Sequence, residues 1–186
     1  RSGPLLFLTV EHTITQSGRV VVEDLQQLVY RTDARRTDVD TANESGQEEP
    51  VAERLPLSPG EWRLEIDPVV LFRFSALTYN AHRVHYDREY ARREEGYRGL
   101  LTHGPLQVIA MVEAARRIGC VEALGWQLEY RLTAPLLDFQ GLVASAQKGS
   151  DDSTTGVRDE GGRQTATGRL TRMAPTVDPL QRGRVM

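Results

Sequence analysis

Residues 103–118 constrain the fold most, because this segment is apolar around nearly the whole circumference of a helix. Thr102 is placed to cap its first turn, and Gly119 is a typical stop signal after its last turn. The apolar positions are Leu106, Val108, Ile109, Ala110, Met111, Val112, Ala114 and Ala115. A helix that is apolar nearly all round is normally buried. The segment is therefore predicted to form the core of a domain.

Short strand patterns lie on both sides of this helix. Residues 126–133 alternate apolar and polar side chains, which predicts a strand with one solvated face. Further strands are predicted over residues 61–66, 142–147, 154–158 and 163–172, with glycine-containing turns between the last three. One long buried helix with several antiparallel strands predicts an α+β domain in which a curved sheet wraps the helix.

The N-terminal segment carries a separate pattern. Residues 5–14 and 19–31 are predicted to form two strands joined by a turn at residues 16–18. Because a lone two-stranded hairpin is marginal in water, we expect the chain to begin part-way through a longer protein. Residues 33–60 are acidic and polar without an apolar period, which predicts a flexible linker. Residues 174–186 are predicted to be a loose tail.

Composition limits the classes of function. The chain has 186 residues and a net charge of -3, which is enough length for one domain and argues against broad nucleic-acid binding. Its single cysteine, Cys120, cannot form an internal disulfide, which suits a reducing compartment. No apolar run reaches the roughly 18 residues of a membrane span, and the N-terminus lacks a signal-peptide layout. We expect a soluble cytoplasmic protein, or a mitochondrial one if the source is eukaryotic, with neither membrane nor nucleic acid as a partner.

Titratable side chains concentrate in residues 77–91, LTYNAHRVHYDREYA. Asp67 and Pro68 are typical of the start of a helix just before this stretch. The apolar face of that helix is predicted to consist of Val69, Phe72, Ala76 and Tyr79. Residues 80–87 follow no period and are predicted to form a structured loop, and residues 88–95 a short polar helix. The collection of histidines, arginines and an aspartate in the loop predicts a functional site.

Two motifs in this region resemble the MaoC-like hot-dog hydratases and dehydratases. That family has the widespread motif D-x-N-P-x-H, and here the same spacing runs from Asn80 to His85, with His82 in the place of the motif's asparagine. The variant TYNAHRVHYD, together with GLLTHGPL at residues 99–106, resembles one branch. It contains the mesaconyl-C4-CoA (3-methylfumaryl-CoA) and itaconyl-CoA hydratases and, nearby, the fungal mitochondrial 3-hydroxyacyl-thioester dehydratases. The resemblance implies a hot-dog fold, with this chain as the C-terminal half of a double hot-dog.

The resemblance also implies domain boundaries and an activity. Residues 1–32 would be a hairpin remnant of the first hot-dog half, residues 33–60 the linker, residues 61–173 the MaoC-like domain and residues 174–186 the tail. The implied activity is a hydro-lyase that adds or removes water at the double bond of an enoyl thioester. The thioester would be an acyl-CoA, such as the branched dicarboxylic mesaconyl-CoA, or an acyl carrier protein conjugate. No cofactor is expected, and the uncovered hairpin predicts a homodimer or higher homo-oligomer.

Several residues are candidates for this chemistry, which needs a base for water, an acid for the α carbon and donors for the enolate oxygen. His85 suits the acid–base role because an imidazole titrates near neutrality. Asn80 would position the water, and the amide of Gly104 at a helix N-terminus would stabilise the oxygen. Because Asn80 cannot be a base, His85 acts alone or with help from Asp87, His82 or a substrate carboxylate. The substrate-binding candidates are His103, His82, Arg83 and Tyr79.

Other interpretations compete with these roles. Gly104 can serve close helix packing, and His85, His82 and His103 can be hydrogen-bonded structural residues. The three histidines could also bind a metal, but no metal site is predicted, because the loop spacing of the first pair guarantees no shared face. A hot-dog thioesterase would use a carboxylate from the central helix, where Glu113 is the only glutamate. A degenerate hot-dog subunit would bind acyl chains or a partner without catalysis.

Overall fold

The computed structural model describes residues 5–31, 54–121, 125–150 and 152–173. The chain divides into two compact units, Arg1–Glu48 and Glu49–Met186. Most of the predicted linker, residues 33–53, and the predicted tail, residues 174–186, lie outside the described residues. Residues 54–60, the C-terminal end of the predicted linker, are part of the second unit, where the amide of Leu55 donates to the carbonyl of Glu160 over 3.0 Å.

The first unit contains the predicted hairpin. Strand β1 (Leu5–Gln16) pairs antiparallel with β2 (Arg19–Arg31), and β1 runs two residues beyond its predicted end. Ser17 and Gly18 make the turn with φ of 51° and 76°, as a tight hairpin turn requires. Apolar side chains such as Phe7 and Val21 are exposed. Two strands alone cannot bury them, so this unit needs a further surface to complete a core.

The described residues of the second unit form a five-stranded antiparallel sheet with three helices. Its strand order is β3-β5-β6-β7-β4, so β3 and β4 are the edge strands. The strands are β3 (Glu61–Leu64), β4 (Trp126–Leu132), β5 (Leu142–Lys148), β6 (Asp152–Arg158) and β7 (Gln164–Arg172). The helices are α1 (Pro68–Thr78), α2 (Arg88–Arg93) and α3 (Gly104–Arg117), with 3-10 turns at Arg83–His85 and Asp138–Gln140. Each predicted strand is present, within about two residues at its ends.

Helix α3 forms the core with the sheet, as predicted, but it is not buried all round. Met111, Ala114 and Ala115 are buried against the sheet in one cluster with Leu142 and other small side chains. The opposite side is different, because the Ile109 side chain is 56% exposed. A single sheet covers only one face of a helix, so the apolar pattern on the second face has no cover within this unit. The sequence pattern could not distinguish these two faces.

The predicted cap of α3 was wrong. His103 is the N-cap residue, and its side chain makes no capping hydrogen bond. The backbone of Thr102 is instead held by the segment before the second 3-10 turn, since its amide donates to the carbonyl of Leu136 over 2.7 Å. A bridge between Leu101 and Leu137 holds the same segment, and the Thr102 hydroxyl has no hydrogen-bond partner among the described residues. Gly119 follows the helix with a φ of 71°, in agreement with its predicted role.

Helix α1 begins as predicted but buries a different face. The Asp67 carboxylate accepts a hydrogen bond from the amide of Val70 over 2.7 Å, which caps the helix. Leu71 and Ser75 are its buried residues, and Leu71 packs in a second cluster with Leu100 and Leu106. The predicted face of Val69, Phe72, Ala76 and Tyr79 is exposed. The helix is apolar on both sides, so its sequence alone does not determine which side meets the core.

Candidate functional site

The loop after α1 is shaped by its own side chains. Helix α1 ends at Thr78, and its C-cap residue Tyr79 adopts a left-handed conformation with φ of 53°. The Asn80 amide donates to the carbonyl of Ser75 over 2.9 Å, and its side-chain Oδ1 accepts from the amide of His82 over 3.0 Å. This second bond is an Asx-turn, which mimics a backbone turn. The carbonyl oxygen of the Asn80 side chain is therefore used to fold the loop.

His85 lies in the 3-10 turn at the end of this loop and is 7% exposed. Its Nδ1–H donates to the carbonyl of Leu101 over 2.7 Å. This bond fixes the neutral tautomer and leaves Nε2 as an acceptor. Burial lowers the pKa of His85, against the smaller effect of the Leu101 hydrogen bond. Near neutral pH the imidazole is thus held uncharged, with one nitrogen able to accept a proton.

His103 stacks directly on His85. The two ring centroids are 3.7 Å apart and the ring planes are inclined by 17°. The Nε2 of His103 shares a 2.8 Å hydrogen bond with the hydroxyl of Ser75, and the ring of Phe74 meets it edge-on. Burial, and then the charge of His85, lower the pKa of His103 to about 4. Two stacked imidazoles in contact cannot both be charged at low cost, so this pair carries at most one proton beyond neutrality.

Two buried polar atoms beside this stack have no hydrogen-bond partner among the described residues. They are the Nδ1 of His103 and the hydroxyl oxygen of Thr102. Buried polar atoms are normally paired, so unpaired ones call for a water or a ligand atom. Both residues immediately precede α3, which places this unmet hydrogen-bonding capacity at the N-terminal end of the helix.

The carbonyl that orients His85 is itself held in place. The amide of Leu101 donates to the carbonyl of Val84 over 3.0 Å, and the amide of Leu100 donates to Asp138 Oδ1 over 3.0 Å. The Asp138 side chain is 4% exposed and forms an ion pair with Arg88 of helix α2. Asp138 and Ser75 were not predicted as site residues from the sequence. A lone aspartate after the apolar segment Pro135–Leu137 was the only signal for the first, and nothing marked the second.

His82 lies on the solvent side of His85. Its side chain is 54% exposed, and the two ring centroids are 5.8 Å apart in an edge-to-face arrangement. The Nε2–H of His82 donates to Glu95 Oε1 over 3.4 Å, and the hydroxyl of Tyr90 donates to the same oxygen over 3.0 Å. The structure therefore brings His82, His85 and His103 into one row of rings.

The remaining substrate-binding candidates lie outside this row. Arg83 forms an ion pair with Asp87 over 2.8 Å and stacks over the ring of Tyr90 at 4.4 Å. The Tyr79 side chain is 95% exposed. Arg83 is thus engaged within its own loop, and Tyr79 points into solvent.

Gly104 is the first residue of α3, where its amide is free of the helical ladder. A Cβ at this position would lie 2.5 Å from Cδ1 of Leu132 on the edge strand β4. This contact supports the packing interpretation of the glycine. The oxyanion role of its amide stays a prediction, and the two are compatible because one concerns Cα and the other the backbone nitrogen.

The described residues include no candidate metal-binding cluster, and the carboxylate of α3 is held by neighbouring arginines. Within residues 5–31, 54–121, 125–150 and 152–173, no group of three or more His, Cys, Asp or Glu residues could hold a metal ion. The Glu113 carboxylate accepts hydrogen bonds from Arg116 and Arg117, and the former bond chiefly lowers its pKa to about 2. None of the described helices is long and apolar enough to cross a membrane.

Sequence comparison gives a match to a family model and to curated relatives. Residues 3–138 match the family described as hydroxyacyl-thioester dehydratase type 2. The chain is 41% identical over 152 residues to mesaconyl-C(4)-CoA hydratase of Chloroflexus aurantiacus, which covers 81% of this chain and 50% of that protein. It is 36% identical over 82 residues to the mitochondrial hydroxyacyl-thioester dehydratase type 2 of Schizosaccharomyces pombe, covering 44% and 27%. The chain spans half or less of the length of these relatives.

Solved structures share the fold. HtdX of Mycobacterium tuberculosis superposes with a TM-score of 0.62 at 17% identity, covering 92% of this chain and 63% of that one. A MaoC-like dehydratase of Phytophthora capsici gives 0.63 at 15% identity, covering 91% and 57%. An (R)-hydratase of A. caviae gives 0.50 at 16% identity, covering 66% and 100%. These similarities confirm the predicted α+β hot-dog fold.

Proposed function

Because the chain belongs to the hydroxyacyl-thioester dehydratase type 2 family, we propose that it is a hydro-lyase acting at the double bond of an enoyl thioester. The observation that carries the proposal is the state of His85. Its Nδ1–H is committed to the carbonyl of Leu101, and burial lowers its pKa, so Nε2 holds a free lone pair near neutral pH. An uncharged imidazole of fixed tautomer is what a general base for water requires.

In the hydration direction, His85 Nε2 takes a proton from water as the water oxygen bonds to the β carbon. The π electrons of the double bond move towards the thioester, and negative charge collects on its carbonyl oxygen. The free amide of Gly104 and the dipole of the 14-residue helix α3 favour charge at that point. A proton delivered to the α carbon then completes the product. Dehydration is the same sequence in reverse.

We further propose an acyl-CoA substrate with a branched dicarboxylic acyl group. The support is the 41% identity to a protein named mesaconyl-C(4)-CoA hydratase. The similarity to a hydroxyacyl-thioester dehydratase supports a simpler acyl chain, on coenzyme A or acyl carrier protein. Tyr79 and Arg83, on the outer side of the loop, and His103, with its unpaired Nδ1, remain candidates for binding. The expected compartment is the cytoplasm, or the mitochondrion in a eukaryote, and no cofactor takes part in the scheme.

Association with another hot-dog unit is part of the proposal. The exposed face of α1, with Phe72 and Val69, and the exposed Ile109 of α3 leave apolar surface on the second unit. Strand β4 is an edge strand, and such edges are normally covered. The hairpin unit would be the remnant of a first half, and residues 61–173 the complete one. A homodimer or higher homo-oligomer would bury these surfaces.

A non-catalytic acyl-binding subunit is the second candidate function. The observation that favours it is Asn80, which stands where the family motif has an aspartate and whose oxygen is used by the loop. The thioesterase alternative is less favoured, because Glu113 is held by Arg116 and Arg117 on an exposed part of α3.

The test is the loss of enoyl-thioester absorbance with crotonyl-CoA, mesaconyl-C4-CoA and itaconyl-CoA. The unaltered chain is expected to turn over at least one of them, and His85→Ala to lose at least about 100-fold in kcat. His12→Ala, an exposed histidine on the hairpin, is the matched control and should leave the rate unchanged. Binding of the thioesters with no absorbance change in a folded chain would favour the non-catalytic subunit.

A further inference from the structure

Hydration moves two protons, and Asn80 can handle neither. One proton leaves water and one reaches the α carbon, whereas a carboxamide has no titratable proton near neutral pH. His85 accounts for the first transfer. The second needs another group within reach of the same substrate atoms. Besides His85, residues 80–87 contain Asp87, His82 and Tyr86 as acid–base candidates, and the hydroxyl of Tyr86 already donates to the carbonyl of Ala81 over 2.8 Å.

Asp87 is fully engaged in local structure. Its Oδ1 accepts from the amide of Tyr90 over 3.0 Å and caps helix α2. Its Oδ2 accepts from Nε and Nη2 of Arg83 over 3.1 and 2.8 Å. The capping bond and then the Arg83 bond lower the pKa of Asp87, so its carboxyl stays ionised and cannot supply a proton.

His82 has the arrangement that Asp87 lacks. The Nε2–H of His82 donates a hydrogen bond to Glu95 Oε1 over 3.4 Å, and the hydroxyl of Tyr90 donates one to the same oxygen over 3.0 Å. The proton of neutral His82 is therefore placed on Nε2, which leaves the lone pair on Nδ1. In His85 the two nitrogens have the opposite roles. Its Nδ1–H donates a hydrogen bond to the carbonyl of Leu101, so the lone pair is on Nε2. Each ring thus has one committed nitrogen and one available nitrogen.

The separation of the two rings suits a shared substrate oxygen. An oxygen that bonds two nitrogens at about 2.8 Å each can join nitrogens up to about 5.6 Å apart. The ring centroids of His82 and His85 lie 5.8 Å apart with ring planes inclined by 83°. The available nitrogens lie on the rims of these rings, and any nitrogen separation up to about 5.6 Å would let one water molecule or β-hydroxyl group bond both. Because the α carbon is bonded to the β carbon that receives this oxygen, a group beside the oxygen is also close to the α carbon.

We propose that His82, held by Glu95, is the second acid–base group of this site. The proposal rests on the hydro-lyase function proposed above. In hydration, His85 Nε2 takes the water proton as the oxygen–β-carbon bond forms. The imidazolium of His82 gives its Nδ1 proton to the α carbon as the enolate electrons form the new C–H bond. His85 ends protonated and His82 neutral, with Nε2–H still bonded to Glu95.

Solvent access closes the cycle. The His82 side chain is 54% exposed, so it recovers its proton directly from water. His85 returns its proton to solvent when the product leaves. Asn80 acts as a positioning residue in this scheme. Its Oδ1 accepts a hydrogen bond from the backbone amide of His82 over 3.0 Å. This bond fixes the position of the His82 backbone, from which the imidazole extends.

The experiment measures kcat and KM for the substrate found above, across pH, in His82→Gln, His82→Ala and Glu95→Gln. Loss of a general acid–base group typically costs about 10²- to 10⁴-fold in rate. We expect at least about 100-fold in kcat for His82→Gln, a KM within about threefold, and the loss of one limb of the pH profile. Added imidazole should restore part of the rate of His82→Ala. Glu95→Gln should lose about tenfold, and Glu89→Gln, a surface carboxylate paired with Arg93, should lose nothing.

The possible failures are distinguishable. A chain that turns over no thioester overturns the proposed function and this role with it. An active chain that loses its rate in His85→Ala but keeps it within about threefold in His82→Gln overturns the role of His82 alone. Nitrogen-15 NMR of the imidazoles gives a readout without turnover. Neutral His82 should be the Nε2–H tautomer, and a Nδ1–H tautomer contradicts the proposal.

Discussion

His103 ties the stability of the second unit to pH in the mildly acid range. In the folded chain its pKa is lowered to about 4, chiefly by burial, and unfolding returns the side chain to a value near 6.5. Between these two values the unfolded chain binds more protons than the folded chain. The free energy of unfolding therefore falls as pH drops below 6.5, and the loss is complete near pH 4.

The magnitude follows from the size of the shift. The difference between 6.5 and 4 is 2.5 units, and 1.36 kcal/mol for each unit gives a limiting loss of about 3 kcal/mol. Most of it, about 2 kcal/mol, is expected between pH 7 and pH 4.5. His103→Gln removes the titrating group and keeps a polar side chain for Ser75, so this part of the pH dependence should disappear.

The assay is urea unfolding of wild type and His103→Gln at pH 7 and pH 4.5. For each protein the change in the free energy of unfolding between the two pH values is measured, and these two changes are compared. Carboxylates protonate in both proteins, and their effect cancels. Wild type should lose about 2 kcal/mol more than His103→Gln between the two pH values. His12→Gln, which changes an exposed histidine of the hairpin, should behave as wild type. Equal losses in wild type and His103→Gln would refute the argument, because a buried neutral imidazole must take up its proton on unfolding.

Substitutions at three positions test the packing and hydrogen bonds around the site. Gly104→Ala brings a Cβ to 2.5 Å from Leu132, whose half-exposed side chain can turn away, so a thermal melt should show a loss of about 1 kcal/mol. Arg88→Ala leaves the buried carboxylate of Asp138 without its ion pair, and urea unfolding should show a loss of about 2 kcal/mol, less than for a fully buried pair because Arg88 is 43% exposed. Asn80→Ala removes the Asx-turn bond and should cost about 1 kcal/mol in the same assay, whereas Asn80→Asp, which keeps the acceptor, should cost less. No change in Arg88→Ala would mean that water replaces the guanidinium without cost.

The elements of the fold were predictable because their signals are local. The cap formed by Asp67, the turn at Ser17 and the alternation of residues 126–133 each depend on neighbours in the chain. The buried face of α1 was not predictable, because Phe72 and Leu71 are equally apolar and only the position of the sheet decides between them. Local chemistry thus indicates where most elements begin and end, with the N-cap of α3 as an exception, and tertiary contacts fix which side an element buries.

The candidate site divides in the same way. His82, His85 and His103 were predicted as site residues from the loop motif and from the start of α3, and the structure places them in one row. The groups that orient these rings were not foreseen, since the carbonyl of Leu101 has no sequence signal and Ser75 lies ten residues before His85 on another element. A hydrogen bond to a backbone carbonyl can be made by any residue type, so a sequence pattern carries no record of it.

Asparagine at position 80 has a further consequence for the proposed base. A carboxylate close to an imidazole favours its charged form, and a charged His85 could not take a proton from water. Asn80 accepts a loop hydrogen bond that an aspartate could also accept, but it adds no carboxylate charge to the loop that carries His85. Burial lowers the pKa of His85, and an uncharged side chain at position 80 does not oppose that effect. Asparagine at position 80 therefore removes the motif's carboxylate as a proton-transferring group and leaves His85 in its base form. The second proton transfer is the role proposed for His82.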